Sequence, residues 1–141
     1  MAFNFPQPML HSSDYDFSFS GLKTAVLYAV QDIGEINSQT QADIAASFQH
    51  AATEVLIKKI TKALEDTGRE SIVLAGGVAA NKLLRNKISL LKSKLNVDVL
   101  YPPLSHCTDN AAMIAYLGSM KVNEATFSLA SHAKPRWPLG S

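Results

Sequence analysis

Ile44, Phe48, Ala51, Ala52, Val55, Leu56, Ile60, Ala63 and Leu64 recur at three- and four-residue steps, which predicts a long amphipathic helix. Thr40-Gln41-Ala42-Asp43 reads as a capping-box-like start and Thr67-Gly68 as the stop. A second pattern follows. Ser71 to Ala75 is a short apolar, partly β-branched run, Gly76-Gly77 ends it, and Asn81 precedes helical spacing through Leu84, Ile88, Leu91 and Leu95. This predicts a buried strand, a tight turn and a helix that Asn96 closes. Val97 to Tyr101 reads as another strand, stopped by Pro102-Pro103. Leu104 to Cys107 reads as a loop, and Thr108 as the cap of a last helix running from Asp109 to a stop at Gly118.

Before these elements, Phe3 to Pro8 alternates aromatic and polar residues and then meets proline, as an edge strand or extended arm does. Asp16 to Gly21 supplies serines able to cap a helix from Leu22 to Val30, with Gly34 to Gln39 as a loop. Beyond Asn123 no period is strong, and Lys134 to Pro138 reads as a tail. Helices alternating with short strands predict an α/β fold, helix-rich with a short, mainly parallel sheet, in a single domain over residues 1–141. Two or three strands leave edges exposed, for another portion of a parent protein or a second copy to cover.

Composition narrows the function classes. The net charge of +1 gives no basic footprint of a nucleic-acid binder. Lysines do thicken at Lys58-Lys59-Lys62 and at Lys82-Arg85-Lys87-Lys92-Lys94, and both sets read as solvated helix faces. No apolar run approaches the ~20 residues of a membrane span and no signal peptide is visible, so a cytoplasmic location is the expectation. The single cysteine, Cys107, excludes an internal disulfide.

Three segments can carry chemistry. At Gly76-Gly77 and Asn81, glycines let a ligand approach the backbone and an amide can both donate and accept at a nucleotide. The alternative is a tight turn with Asn81 capping the helix. His106-Cys107-Thr108-Asp109-Asn110 lies between a strand end and a helix start, where open α/β sheets place ligands. Asp109 can ligate a metal, or simply meet the positive end of the helix. Neighbours this close rarely converge on one ion, and His11, His50, His106 and His132 include no pair at helical spacing. Ser18 to Thr24, with Lys23, can meet phosphate or only cap a helix.

Taken together, Asp16 to Ala25, Gln41 to Gln49, Ala75 to Asn81, Cys107 to Ala115 and Pro135 to Leu139 resemble the bacterial tRNA N6-adenosine threonylcarbamoyltransferase family, once described as glycoprotein endopeptidases. The resemblance runs over nearly the whole chain and covers the later part of the family's length. It implies part of a lobe of the two-lobed actin, Hsp70 and sugar-kinase superfamily, with nucleotide and metal in the cleft. It also implies transfer of a threonylcarbamoyl group from threonylcarbamoyl-adenylate to the adenosine beside the anticodon of tRNA. Partners implied are a degenerate paralogue and an ATPase, with no membrane.

Residue by residue, Asn81 matches an adenylate-binding asparagine beside Gly76 and Gly77, and Asp109 matches one ligand of an iron or zinc ion. The paired histidines that complete the metal site belong to an earlier portion of the family, so the chain alone is expected neither to hold metal firmly nor to transfer. Two other readings compete: a non-catalytic module that binds a partner or itself, and, with less support, a sugar-kinase-like phosphotransferase. No zinc-protease helix motif accompanies the older peptidase label.

Overall fold

The computed structural model describes residues 1–125. Its elements are α1 (Ser20–Ile33), α2 (Ser38–Thr67), β1 (Ser71–Val73), α3 (Lys82–Leu95), β2 (Asp98–Leu100) and α4 (Ala111–Met120), with short 3-10 turns at Gly77–Ala80, Leu104–His106 and Val122–Glu124. The tail expected at Lys134 to Pro138, and His132, lie outside the described residues. The chain divides into two compact units, Met1–Thr108 and Asp109–Ser141.

In the first unit α2 is the spine, 30 residues or about 45 Å long. It packs against both α1 and α3. Phe5, Leu22, Ile44 and Ala51 form a buried cluster with Phe3 and Phe19 against it. The N-terminal segment is an extended arm without a strand, pinned by the Phe3 N–H donating to Ser47 Oγ at 3.2 Å and by stacking of Phe3 on Phe5. That bond explains an exception in the predicted apolar stripe. Ser47 takes the buried place, while Phe48 is 40% exposed.

The parallel pair β1 and β2 is in register Ser71↔Asp98, Ile72↔Val99 and Val73↔Leu100, and the Leu74 N–H extends the ladder to the Leu100 carbonyl at 2.9 Å. The expected burial of these strands is corrected. Ile72 and Val99 are half-buried, but Val73 and Leu100 on the opposite face are exposed, because a two-stranded sheet has one covered face.

Helix ends depart from expectation at four places. Asn37, not Thr40, caps α2: its Oδ1 accepts the Thr40 N–H at 2.8 Å, so the helix starts earlier. Phe19 is the N-cap of α1, and no side chain caps that end. Asn110, not Thr108, caps α4 by accepting the Met113 N–H at 3.0 Å, and Gly118 lies inside the helix. By contrast Gly68 and Asn96 end α2 and α3 in the left-handed conformation, as read from sequence.

The second unit, in its described part, is α4 and the turn after it, with Met113, Ile114, Tyr116, Leu117 and Met120 exposed. Among the described residues, no helix is long and apolar enough to cross a membrane.

Candidate functional site

Both strands run into turns at their carboxyl ends. After β1 the chain turns at Gly76, whose φ of +82° needs a residue without Cβ, and enters the 3-10 turn Gly77–Ala80. The Ala79 N–H donates to the Gly76 carbonyl at 3.0 Å and the Asn81 N–H to the Val78 carbonyl at 3.0 Å. Gly76, Gly77 and Val78 are exposed, and a Cβ on either glycine would meet no atom within 4 Å. The turn is therefore open to an approaching molecule.

Asn81 heads α3. Its Oδ1 accepts the Leu84 N–H at 2.9 Å, and its Nδ2 donates to Gln49 Oε1 at 2.8 Å. Capping is thus its observed role. One amide hydrogen and one oxygen lone pair are left over by these two bonds, enough for a second role. An apolar cavity of about 230 Å³ adjoins it, lined by Phe19, Phe48, Gln49, Ala52, Thr53, Leu56, Val78 and Asn81.

The turn after β2 runs through Pro102 and Pro103 into Leu104–His106, with the His106 N–H donating to Pro103 at 2.9 Å. His106 faces solvent, whereas Cys107 is buried at 2% exposure, with its sulfur 3.1 Å from Arg85 Nη2. These two neighbours therefore occupy different environments. Asp109 is exposed and opens the second unit. It precedes the Asn110 cap rather than sitting in the first turn of α4, so the helix-end account of this acid is corrected. Among the described residues no three His, Cys, Asp or Glu side chains are grouped to hold a metal. Asp109 offers one exposed carboxylate, and the Cys107 thiol faces the Arg85 guanidinium.

In the third segment the Ser20 N–H donates to Ser18 Oγ at 3.3 Å and Thr24 Oγ1 to the Ser20 carbonyl at 3.2 Å, with Lys23 exposed. Those hydroxyls are engaged locally.

The basic runs are only partly solvated. Lys58 and Lys94 are exposed. Lys59 is buried, its ammonium held by the Ser12 and Asp14 carbonyls at 3.1 and 2.8 Å, by Ser12 Oγ at 2.6 Å and by Asp14 Oδ1 at 3.2 Å. Lys87 binds Glu54 at 2.6 Å and Thr53 at 2.8 Å. Shifted pKa values lie away from the turns. The Ser12 hydroxyl and then Lys59 lower that of Asp14, and Lys62 and then Tyr15 lower that of Asp66.

Two residues at these turns escaped the sequence reading as individuals: Gln49, the last residue of a family-like block, and Arg85. Arg85 stands four after Asn81, on the same side of α3, and that spacing is the signal that could have marked it.

A family model described as TsaD, tRNA N6-adenosine threonylcarbamoyltransferase, matches residues 1–116. Proteins named tRNA N6-adenosine threonylcarbamoyltransferase are similar: that of Thermosipho africanus is 60% identical over 82% of this chain and 35% of its own length. That of Chromobacterium violaceum is 48% identical over 99% of the chain and 42% of its own length, and that of Variovorax paradoxus 48% over 99% and 41%. The chain thus spans about two fifths of the length of these curated relatives.

Proposed function

This chain belongs to the tRNA N6-adenosine threonylcarbamoyltransferase family, and from that premise we propose that it forms one wall of a transferase cleft. The reaction is movement of the threonylcarbamoyl group from threonylcarbamoyl-adenylate to N6 of the adenosine next to the anticodon of tRNA. The observation that carries the reading is the pair of turns at the carboxyl ends of the two parallel strands, where open α/β sheets receive ligands. Gly76 and Gly77 give the adenylate room at the backbone, and Asn81 binds it with the hydrogen and lone pair that capping leaves over.

Asp109 supplies one carboxylate to an iron or zinc ion whose imidazole ligands lie, by resemblance, outside the matched stretch. When bound, that ion would act as a Lewis acid. The fold reading is part of a lobe of the actin, Hsp70 and sugar-kinase type, working in the cytoplasm with a degenerate paralogue and an ATPase. Residues 1–141 are the later portion of such a protein and are expected, alone, neither to retain metal nor to modify tRNA.

Titration of the 141-residue chain with AMP tests the site. Asn81→Ser keeps an oxygen that can cap α3 and removes the amide. It should weaken AMP binding by about tenfold, the loss of one well-placed hydrogen bond, and lower stability by no more than about 1 kcal/mol through the lost Asn81–Gln49 bond. Unchanged affinity would refute the role of Asn81. Self-association is the second reading, favoured by the uncovered sheet face, with Val73 and Leu100 67% and 59% exposed.

A further inference from the structure

Arg85 lies one helical turn beyond Asn81, and its guanidinium reaches both strand-end turns. Nε donates to the Ala79 carbonyl in the glycine turn. Nη2 donates to the Pro102 carbonyl at 3.3 Å and to Cys107 Sγ at 3.1 Å in the turn after β2. The guanidinium also lies over the Tyr101 ring, 4.8 Å from its centroid, and the Tyr101 hydroxyl is 3.2 Å from Ser89 Oγ, one turn further along α3. Only a planar fork offers several donors in fixed directions while stacking on an aromatic face, so lysine cannot reproduce this set.

We propose that Arg85 is a positioning residue, a clamp that holds the glycine turn and the 102–108 turn in one register, so that a ligand bound at the first is felt at the second. The proposal rests on the ligand-groove reading above and deepens it. Ala79 and Cys107 are buried at 0% and 2% exposure while Arg85 and Pro102 are half-buried, so the clamp's bonds are partly shielded from water.

Cys107, the single cysteine of the chain, reports on the clamp. A buried thiol reacts only when its loop opens, so its labelling rate under native conditions measures opening. The experiment follows thiol labelling of the 141-residue chain by Ellman's reagent with and without AMP, alongside direct calorimetric titration with AMP. The wild type should label slowly and be slowed further by AMP. Arg85→Met should label about tenfold faster or more, the effect of releasing a hydrogen bond to a charged group, while its circular dichroism stays native and AMP no longer protects.

Arg85→Lys, which keeps the charge without the fork, should fall between the two. Tyr101→Leu, which removes only the stacking face, should shift the rate in the same direction by less. These two variants decide the matter if Arg85→Met does not fold. Wild-type labelling rates in the folded variants would overturn the clamp. AMP binding without protection of Cys107 in the wild type would overturn the coupling. Absence of AMP binding would instead refute the ligand groove, and the labelling rates alone would then decide the clamp.

Discussion

Gly76 and Gly77 are adjacent, yet their backbones ask different things of a side chain. Gly76 sits at φ +82° and Gly77 has no such constraint, while neither would bring a Cβ within 4 Å of another atom. Gly76→Ala should therefore cost about 1–3 kcal/mol through backbone strain alone, since with ψ 174° it lies where essentially only glycine is found. Gly77→Ala should leave thermal stability within about 0.5 kcal/mol of wild type. If the open surface of the turn receives the adenylate, the same Gly77→Ala methyl should weaken AMP binding severalfold. Calorimetric titration beside a melting curve reads both quantities. Unaltered affinity in a stable Gly77→Ala protein would mean that the glycine pair serves the turn and no ligand.

Contacts between elements explain what was and was not legible in the sequence. The α2 stripe, the Gly68 and Asn96 stops and the place of Asn81 at the head of α3 rest on neighbours within a few positions, so pattern reading reached them. The Asn81 bond to Gln49 spans 32 positions and the Arg85 bond to Cys107 spans 22, and no local period encodes such pairs. For the same reason Lys59 reads as solvated until its four oxygen partners, 45 and 47 positions away, are seen.

The loop carrying those partners also has a pH-dependent attachment to α2. Tyr15 donates to Asp66 Oδ2 at 3.0 Å, and Lys62 bonds the same carboxylate. Lys62 first and Tyr15 second hold the Asp66 pKa below its ordinary 3.8. Asp66 likewise raises Tyr15 above 10.0 and Lys62 above 10.5.

A lowered carboxylate pKa contributes stability above the ordinary value, and that contribution disappears as pH falls through the folded-state value. The raised Tyr15 and Lys62 values contribute below 10.0 and 10.5 and are lost as pH rises through their folded-state values. The attachment should thus persist across neutral pH and weaken at both extremes. Melting curves at low salt should show Asp66→Asn flattening both limbs, and added salt should shrink the difference because the groups are solvent-exposed. Identical limbs in wild type and Asp66→Asn would refute this account.

At the scale of the molecule, the two strands of the first unit leave one sheet face uncovered. The register puts Val73 beside Leu100 there, at 67% and 59% exposure, and Ile72 beside Val99 on the half-buried face. A free parallel sheet is unusual because its faces ordinarily carry helices or further strands. The chain also spans about two fifths of the length of its relatives. Both facts give the open face a use, either beneath further polypeptide of the family or against a second copy of this chain.

The two variants Val73→Lys and Leu100→Lys separate its roles. Each removes an apolar group already in water, so the melting temperature of dilute protein should change little, by the equivalent of about 0.5 kcal/mol or less. Sedimentation velocity over a concentration series should show the wild type associating and both variants remaining monomeric, since a lysine on each copy adds like charge and a desolvation cost to the contact. Ile72→Ala on the covered face should behave oppositely, lowering stability by about 1–3 kcal/mol while leaving the association untouched. A wild type that stays monomeric at high concentration would remove the second copy from consideration and leave the remainder of the family's polypeptide as the cover for this face.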